Sequence, residues 1–175
     1  GSLIKNRGVD LLLDAAKKIP DYCINIIGGV RDELINAQNY LKENNIHNVN
    51  LLGHKSQNEI YNFYNRSDIL ILPMSGKEKH TQKYASPNKL FEYMATGKPI
   101  IAANLPSIRE ILVDGENSIL FEPDNAIDLV HKIKILSDNI ELQIKLGSNS
   151  RKKAESFTWN NRVQSIYNHI DNKKR

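Results

Sequence analysis

A doubly wound α/β fold, with a parallel sheet covered by helices on both faces, is predicted by three features of this 175-residue chain. Short apolar runs alternate with stretches of ten or more residues at helical spacing. The runs are apolar throughout rather than at every second residue, so both faces of each strand need a cover. Glycine, proline or a polar loop closes each run.

Val9 to Ile19 (VDLLLDAAKKI) is the first predicted helix, and the run from Tyr22 to Ile27 is a strand that ends at Gly28-Gly29. A polar helix over Asp32 to Asn44 leads to a strand from Val49 to Leu52, closed by Gly53. Ser56-Gln57-Asn58-Glu59 has the spacing of a capping box and opens a helix over IYNFYNR. Asp68 turns the chain into the next strand, which Pro73 stops, and a loop runs from Met74 to Ala85.

SPNKLFEYMATGKP, residues 86–99, reads as a helix with Ser86 as cap, Pro87 at the first position and Gly97 as C-cap, with Lys98 and Pro99 beyond it. Pro99 to Ala103 is a buried strand, Ser107 to Glu110 a second capping box, and Ser118 to Phe121 the last strand. Helices from about Asn125 to Leu136, Ile140 to Glu155 and Trp159 to Ile170 close the chain. Thr158 caps the last of them and Trp159 anchors it.

With 40% hydrophobic and 25% charged residues the chain suits one domain, residues 1–175, with a core large enough to fold. It has no apolar run of membrane-spanning length and no signal segment at its start, which points to a cytoplasmic setting. The single cysteine, Cys23, lies in an apolar run and reads as a core thiol, so no disulfide framework is expected. His47, His54, His80, His131 and His169 never fall at the i,i+4 spacing of a helical metal pair, and no metal site is expected.

A net charge of +4 fits nucleic acid, an anionic membrane surface or a phosphorylated ligand. Its distribution is more informative. Lys5 and Arg7 form one basic cluster, and Lys77, Lys79, His80, Lys83 and Lys89 a second around the start of the SPNKLFEYMAT helix. Lys173-Lys174-Arg175 reads as a solvated tail, with contact to a membrane surface as the alternative.

Ligands of open α/β sheets bind outside the carboxyl ends of the strands. The loops Gly28 to Arg31, Gly53 to Lys55, Met74 to Ala85 and Asn104 to Ser107 reach those ends. Lys89 stands in the first turn of its helix, where free N–H groups and the helix dipole already concentrate positive charge. The arrangement is repulsive unless an anion such as a phosphate sits there. Glu92 and Thr96 follow at i+3 and i+7 on the same face. A carboxylate at Glu92 suits a sugar diol, the alternative being an intrahelical ion pair with Lys89. Gly28-Gly29 lacks the G-x-G-x-x-G pattern, so NAD is not inferred.

Taken together, these segments resemble the C-terminal, nucleotide-sugar-binding domain of the retaining GT-B glycosyltransferases of the group 1 family. The likeness runs from GSLIKNRG through VDLLLDAAKKI, INIIGG and NVNLLGHKSQNEIYNFYNRSDILILP, and is most specific over FEYMATGKPIIAANLPSIREILVDGENSILFEPDNAIDL. The resemblance implies a Rossmann-like C-terminal half of a GT-B fold, a fragment that lacks the N-terminal acceptor domain. No strand precedes the first helix although such a sheet starts with one, so the first strand is expected to be missing as well, or Gly1-Ser2 replaces natural residues.

The family pattern implies that the donor diphosphate is held by a basic pair near the start, where Arg7 takes the lysine position. Ser2 stands where the family has arginine and Lys5 is a substitute for it. Glu92 matches the second glutamate of the E-x7-E motif, which bonds the ribose; the first glutamate, which touches the sugar, falls at Tyr84. Gly1, Ser86, Pro87, Lys89 and Leu90 complete the expected nucleotide-sugar contacts, with His54 and Lys55 near the base. No catalytic residue is assigned beyond diphosphate stabilisation by Lys89, Arg7 and Lys5.

The implied protein uses no cofactor. Its donor substrate is a nucleoside diphosphate sugar, and its acceptor a glycan or lipid-linked molecule held by the N-terminal domain. Nucleic acid is not an expected partner, whereas peripheral contact at the inner membrane surface is. A nucleotide-sugar epimerase of the same fold and a non-catalytic binding module are the alternatives.

Overall fold

The computed structural model describes residues 3, 8–77, 82 and 88–172. In chain order the elements are α1 (Val9–Ala16), β1 (Ile24–Ile26), α2 (Arg31–Glu43), β2 (Val49–Leu51), α3 (Gln57–Arg66), β3 (Leu70–Leu72), α4 (Asn88–Thr96), β4 (Ile100–Ala103), α5 (Pro106–Arg109), β5 (Ile119–Phe121), α6 (Ala126–Ser137), α7 (Ile140–Ala154) and α8 (Trp159–Asn172). Every strand pairing is parallel, with Ile24 opposite Val49, Leu70 opposite Ile100, and Ile101 opposite Ile119. The class is α/β, with helices on both faces, as the alternation predicts.

One feature departs from that expectation. The strands form two sheets, β2-β1 and β3-β4-β5, instead of one continuous sheet. β4 is the centre of the larger sheet, and all four of its residues are fully buried. Leu90 and Met94 of α4 pack into the same core with Phe121, Leu129, Leu136 and Leu146.

α4 is fixed from below by α7. A Cβ on Gly147 would stand 2.0 Å from the Gly97 carbonyl oxygen, so only glycine allows this approach. Arg151 then donates from Nη1 to the Ala95 carbonyl at 3.1 Å, satisfying an orphan acceptor at the end of α4. Gly97 has φ 71 and ends the helix as expected.

Three sequence expectations need correction. Cys23 is exposed, because the alternation of β1 puts Ile24 and Ile26 in the core and turns Cys23 and Asn25 to the opposite face, where Asn50 donates to both. Ser107 does not cap a helix: the N-cap is Leu105, because Pro106, with its fixed φ, takes the first helical position one residue earlier. Trp159 is 82% exposed and anchors nothing; the contact is made two residues earlier by Phe157, packed edge-on against Phe91 at 5.1 Å. Thr158 does cap α8, accepting from the Asn161 N–H at 3.2 Å.

Candidate functional site

The carboxyl ends of the strands meet along a rim built mostly of backbone. Gly28, after β1, donates its N–H to the Gly53 carbonyl after β2 at 2.7 Å. Gly8 caps α1 with φ 73, and a Cβ there would fall 1.4 Å from the Pro73 carbonyl oxygen at the end of β3. A glycine is required at that point. It brings the N-terminus of α1 to the carboxyl end of β3.

α4 starts beside this rim. Its first turn contains no acidic residue, and Lys89 is exposed there. Lys89 makes no ion pair among the described residues, so the alternative of a Lys89–Glu92 bridge is not realised. With Asn88 and Tyr93 it lines a cleft of about 1020 Å³ that also includes Pro73 and Met74. The unneutralised lysine and the free N–H groups of the helix start together favour an anion at this end of α4.

Glu92, one turn further on, is half-buried and has a partner on another helix: its Oε2 accepts from the Tyr64 hydroxyl at 3.0 Å. Tyr64 is 6% exposed, and its ring meets Tyr93 edge-on at 5.1 Å and 82°. Burial pushes the Tyr64 phenol well above its ordinary value, with the neighbouring Tyr93 and Glu92 adding to the effect. Burial likewise raises Tyr93, with Glu92 next, to about 12. At neutral pH both phenols keep their protons, so Tyr64 acts as a donor that orients the carboxylate and Oε1 has no partner among the described residues.

Tyr64 is held in place by the start of its own helix. The Ser56 N–H donates to Glu59 Oε2 at 2.9 Å and the Glu59 N–H to Ser56 Oγ at 3.4 Å, the capping box read from the sequence. Hydrogen bonds from Ser56 hold the Glu59 carboxyl below its ordinary range. Lys55 Nζ lies 3.8 Å from Glu59 Oε1, so this rim lysine is shared with the helix start. His54, in the same loop, is exposed.

The Leu90 side chain is fully buried, so the group it offers a ligand is its backbone N–H. Gly1, Ser2, Lys5, Arg7, Tyr84, Ser86 and Pro87 lie outside the described residues. Tyr64 is the residue that sequence reading missed, since nothing in a spacing of 28 residues marks a contact between α3 and α4. A second cavity, of about 510 Å³, runs along the outer edge of β5, and Asn104, whose buried Oδ1 has no hydrogen-bond partner among the described residues, lies on its wall. Among the described residues no group of three His, Cys, Asp or Glu side chains could hold a metal ion.

Comparison with known proteins shows the family and the fold. The family model described as glycosyl transferases group 1 matches residues 1–153. An uncharacterized glycosyltransferase of Methanocaldococcus jannaschii is 32% identical over 95% of this chain and 45% of its own length. The capsular polysaccharide biosynthesis glycosyltransferase CapM of Staphylococcus aureus is 26% identical over 96% of this chain and 44% of its own. The chain therefore spans a little under half the length of these relatives.

Among solved structures, HepE of Anabaena in complex with UDP superposes with a TM-score of 0.84 at 19% identity, covering 98% of this chain and 47% of HepE. The catalytic domain of the cholesterol-α-glucosyltransferase of Helicobacter pylori gives 0.74 at 20% identity, covering 90% and 95%. These structural likenesses are of fold.

Proposed function

Because the chain belongs to the glycosyl transferases group 1 family, we propose that it is the donor-binding half of a glycosyltransferase that moves a sugar, with retention, from a nucleoside diphosphate sugar to a glycan or lipid-linked acceptor. The observation that carries this reading is the start of α4, where Lys89 stands at the cleft without a counter-charge among the described residues. One turn on, Glu92 is held by Tyr64. An anion site and a diol acceptor lie about one helical turn apart, which is the separation a diphosphate and its ribose need. UDP bound to HepE, a protein of this fold, supports a nucleoside diphosphate as the ligand class.

In this mechanism the bond between the sugar and the diphosphate breaks, and negative charge accumulates on the leaving diphosphate. Lys89 and the α4 N–H groups stabilise that charge more in the transition state than in the ground state, which lowers the barrier. By the family resemblance we assign Lys5 and Arg7 to the diphosphate as well, Ser86 and Pro87 to the nucleotide contacts, and Tyr84 to the sugar. Glu92 Oε1 accepts from the ribose, and the acceptor enters from an N-terminal domain. The donor needs no cofactor. The complete protein works in the cytoplasm, in contact with the inner membrane surface.

Full-length protein incubated with UDP-, GDP- and ADP-sugars should release the free nucleoside diphosphate from one of them. The transferred sugar, read by NMR, should keep its anomeric configuration. Release of a free nucleotide with an altered sugar and no transfer identifies an epimerase instead, and no turnover of any donor contradicts the proposal.

A further inference from the structure

β3 and β5 are not neighbours, since β4 lies between them, yet the loops at their carboxyl ends are joined. Beyond β3, the Gly76 N–H donates to Asp124 Oδ2, beyond β5, at 2.9 Å. The contact closes over the end of β4, where a Cβ on Gly76 would stand 3.3 Å from Leu105 Cδ2 and 3.1 Å from Pro123 Cβ. On its other side the Gly76 carbonyl accepts from Gln82 Nε2, and the Lys77 N–H donates to the buried Ser75 Oγ at 3.2 Å. The turn from Ser75 to Lys77 is therefore held from several directions.

Asp124 holds Gly76 from an unfavourable backbone. Its φ is 60, in the left-handed region that glycine enters freely and other residues enter at a cost. A glycine would make the turn into α6 more easily, but it has no carboxylate. Asn125 already caps α6, accepting from the Ile127 and Asp128 N–H groups at 3.1 and 3.0 Å, so Asp124 is not needed as the cap. The side chain that the turn does not require is the one that holds Gly76.

We infer that Asp124 is a positioning residue for the donor, acting through Gly76 on the turn that carries Lys77; the inference rests on the nucleotide reading above. The turn follows Pro73 and Met74, which line the cleft together with Lys89. Lys77 is exposed and has no ion pair among the described residues. An untied turn spreads that charge over many conformations. Tied to Asp124, it holds the charge in place before the donor arrives, and the ammonium adds to the field of Lys89 on the diphosphate.

Two variants isolate the contact, because both remove the charge of Asp124. Asp124→Asn keeps an acceptor oxygen and tolerates the left-handed backbone, whereas Asp124→Gly relaxes the backbone and removes the acceptor. Amide exchange at Gly76 and calorimetry with UDP, GDP and ADP are read on the parent and on both. Asp124→Gly should speed exchange at Gly76 and weaken the nucleotide that the parent binds roughly fivefold, whereas Asp124→Asn should stay within about twofold of the parent. In a Lys77→Ala background the glycine change should weaken binding no further. Unchanged affinity in Asp124→Gly overturns the inference, as does an equal fall in Asp124→Asn or an undiminished effect in the Lys77→Ala background. A folded parent that binds none of the three nucleotides contradicts the nucleotide reading itself, and the positioning role with it.

Discussion

The Tyr64 hydroxyl donates to Glu92 Oε2 at 3.0 Å, a hydrogen bond between α3 and α4 that joins the helix following the Gly53–Lys55 loop to the helix that carries Lys89. Tyr64 keeps its proton over the whole physiological range because burial raises its pKa. Removing the hydroxyl while keeping the ring isolates this bond. Tyr64→Phe should cost about 1 kcal/mol of stability, the net worth of a hydrogen bond to a partly exposed carboxylate. It should also weaken UDP more than 2′,3′-dideoxy-UDP, since only the former uses the oriented carboxylate. Urea denaturation and calorimetry read the two effects, and equal losses for both nucleotides would remove the positioning role.

Lys89 is the cation at the start of α4 that has no counter-charge among the described residues. Lys89→Ala should weaken nucleoside diphosphate binding roughly tenfold or more, the range of a charge-assisted hydrogen bond. Lys145→Ala, an exposed lysine on α7, serves as the control and should leave binding unchanged. The difference between the two should shrink as salt is raised. Calorimetry at two salt concentrations gives the result, and equal affinities in both variants contradict the role of Lys89.

Gly147→Ala inverts an ordinary rule. In an exposed helix interior the change gains close to 1 kcal/mol, but here the added Cβ meets the Gly97 carbonyl at 2.0 Å. α4 and α7 must separate, so the variant should lose about 1–3 kcal/mol, together with some nucleotide affinity, because the proposed site is at the start of α4. A urea midpoint that does not fall would show that this contact is not tight.

Glu59 gives a pH dependence of known sign. Its folded pKa lies below its unfolded value because Ser56 bonds the carboxylate. The stability it contributes is therefore present above the unfolded value, near 4.5, and is lost as pH falls through the folded one. Glu59→Gln should be less stable than the parent at pH 7 by urea denaturation, and the difference should shrink as the pH is lowered below 4.5. Ser56→Ala should cost about 1 kcal/mol at pH 7.

How far the sequence carried the structure follows from what each residue needed. The Ser56 capping box, the Gly97 C-cap and the Asn125 start of α6 were legible because each depends on residues within four positions. The exposure of Cys23 was not, since a three-residue strand reads as continuous apolar sequence until the pleat assigns its faces. Trp159 failed for a related reason: a large aromatic at a helix start is usually packed, yet here Phe157 made the contact first. At the site, the anomaly of Lys89 could be read from charge and position alone. The hold of Tyr64 on Glu92 is tertiary and left no periodic trace.

The central claim is that this domain binds a nucleoside diphosphate at the start of α4, and calorimetry with UDP, GDP and ADP measures it directly. Saturable binding of one of the three, lost when the matching nucleoside replaces it, is the predicted result; a folded sample that shows no saturable heat with any of them would contradict the account.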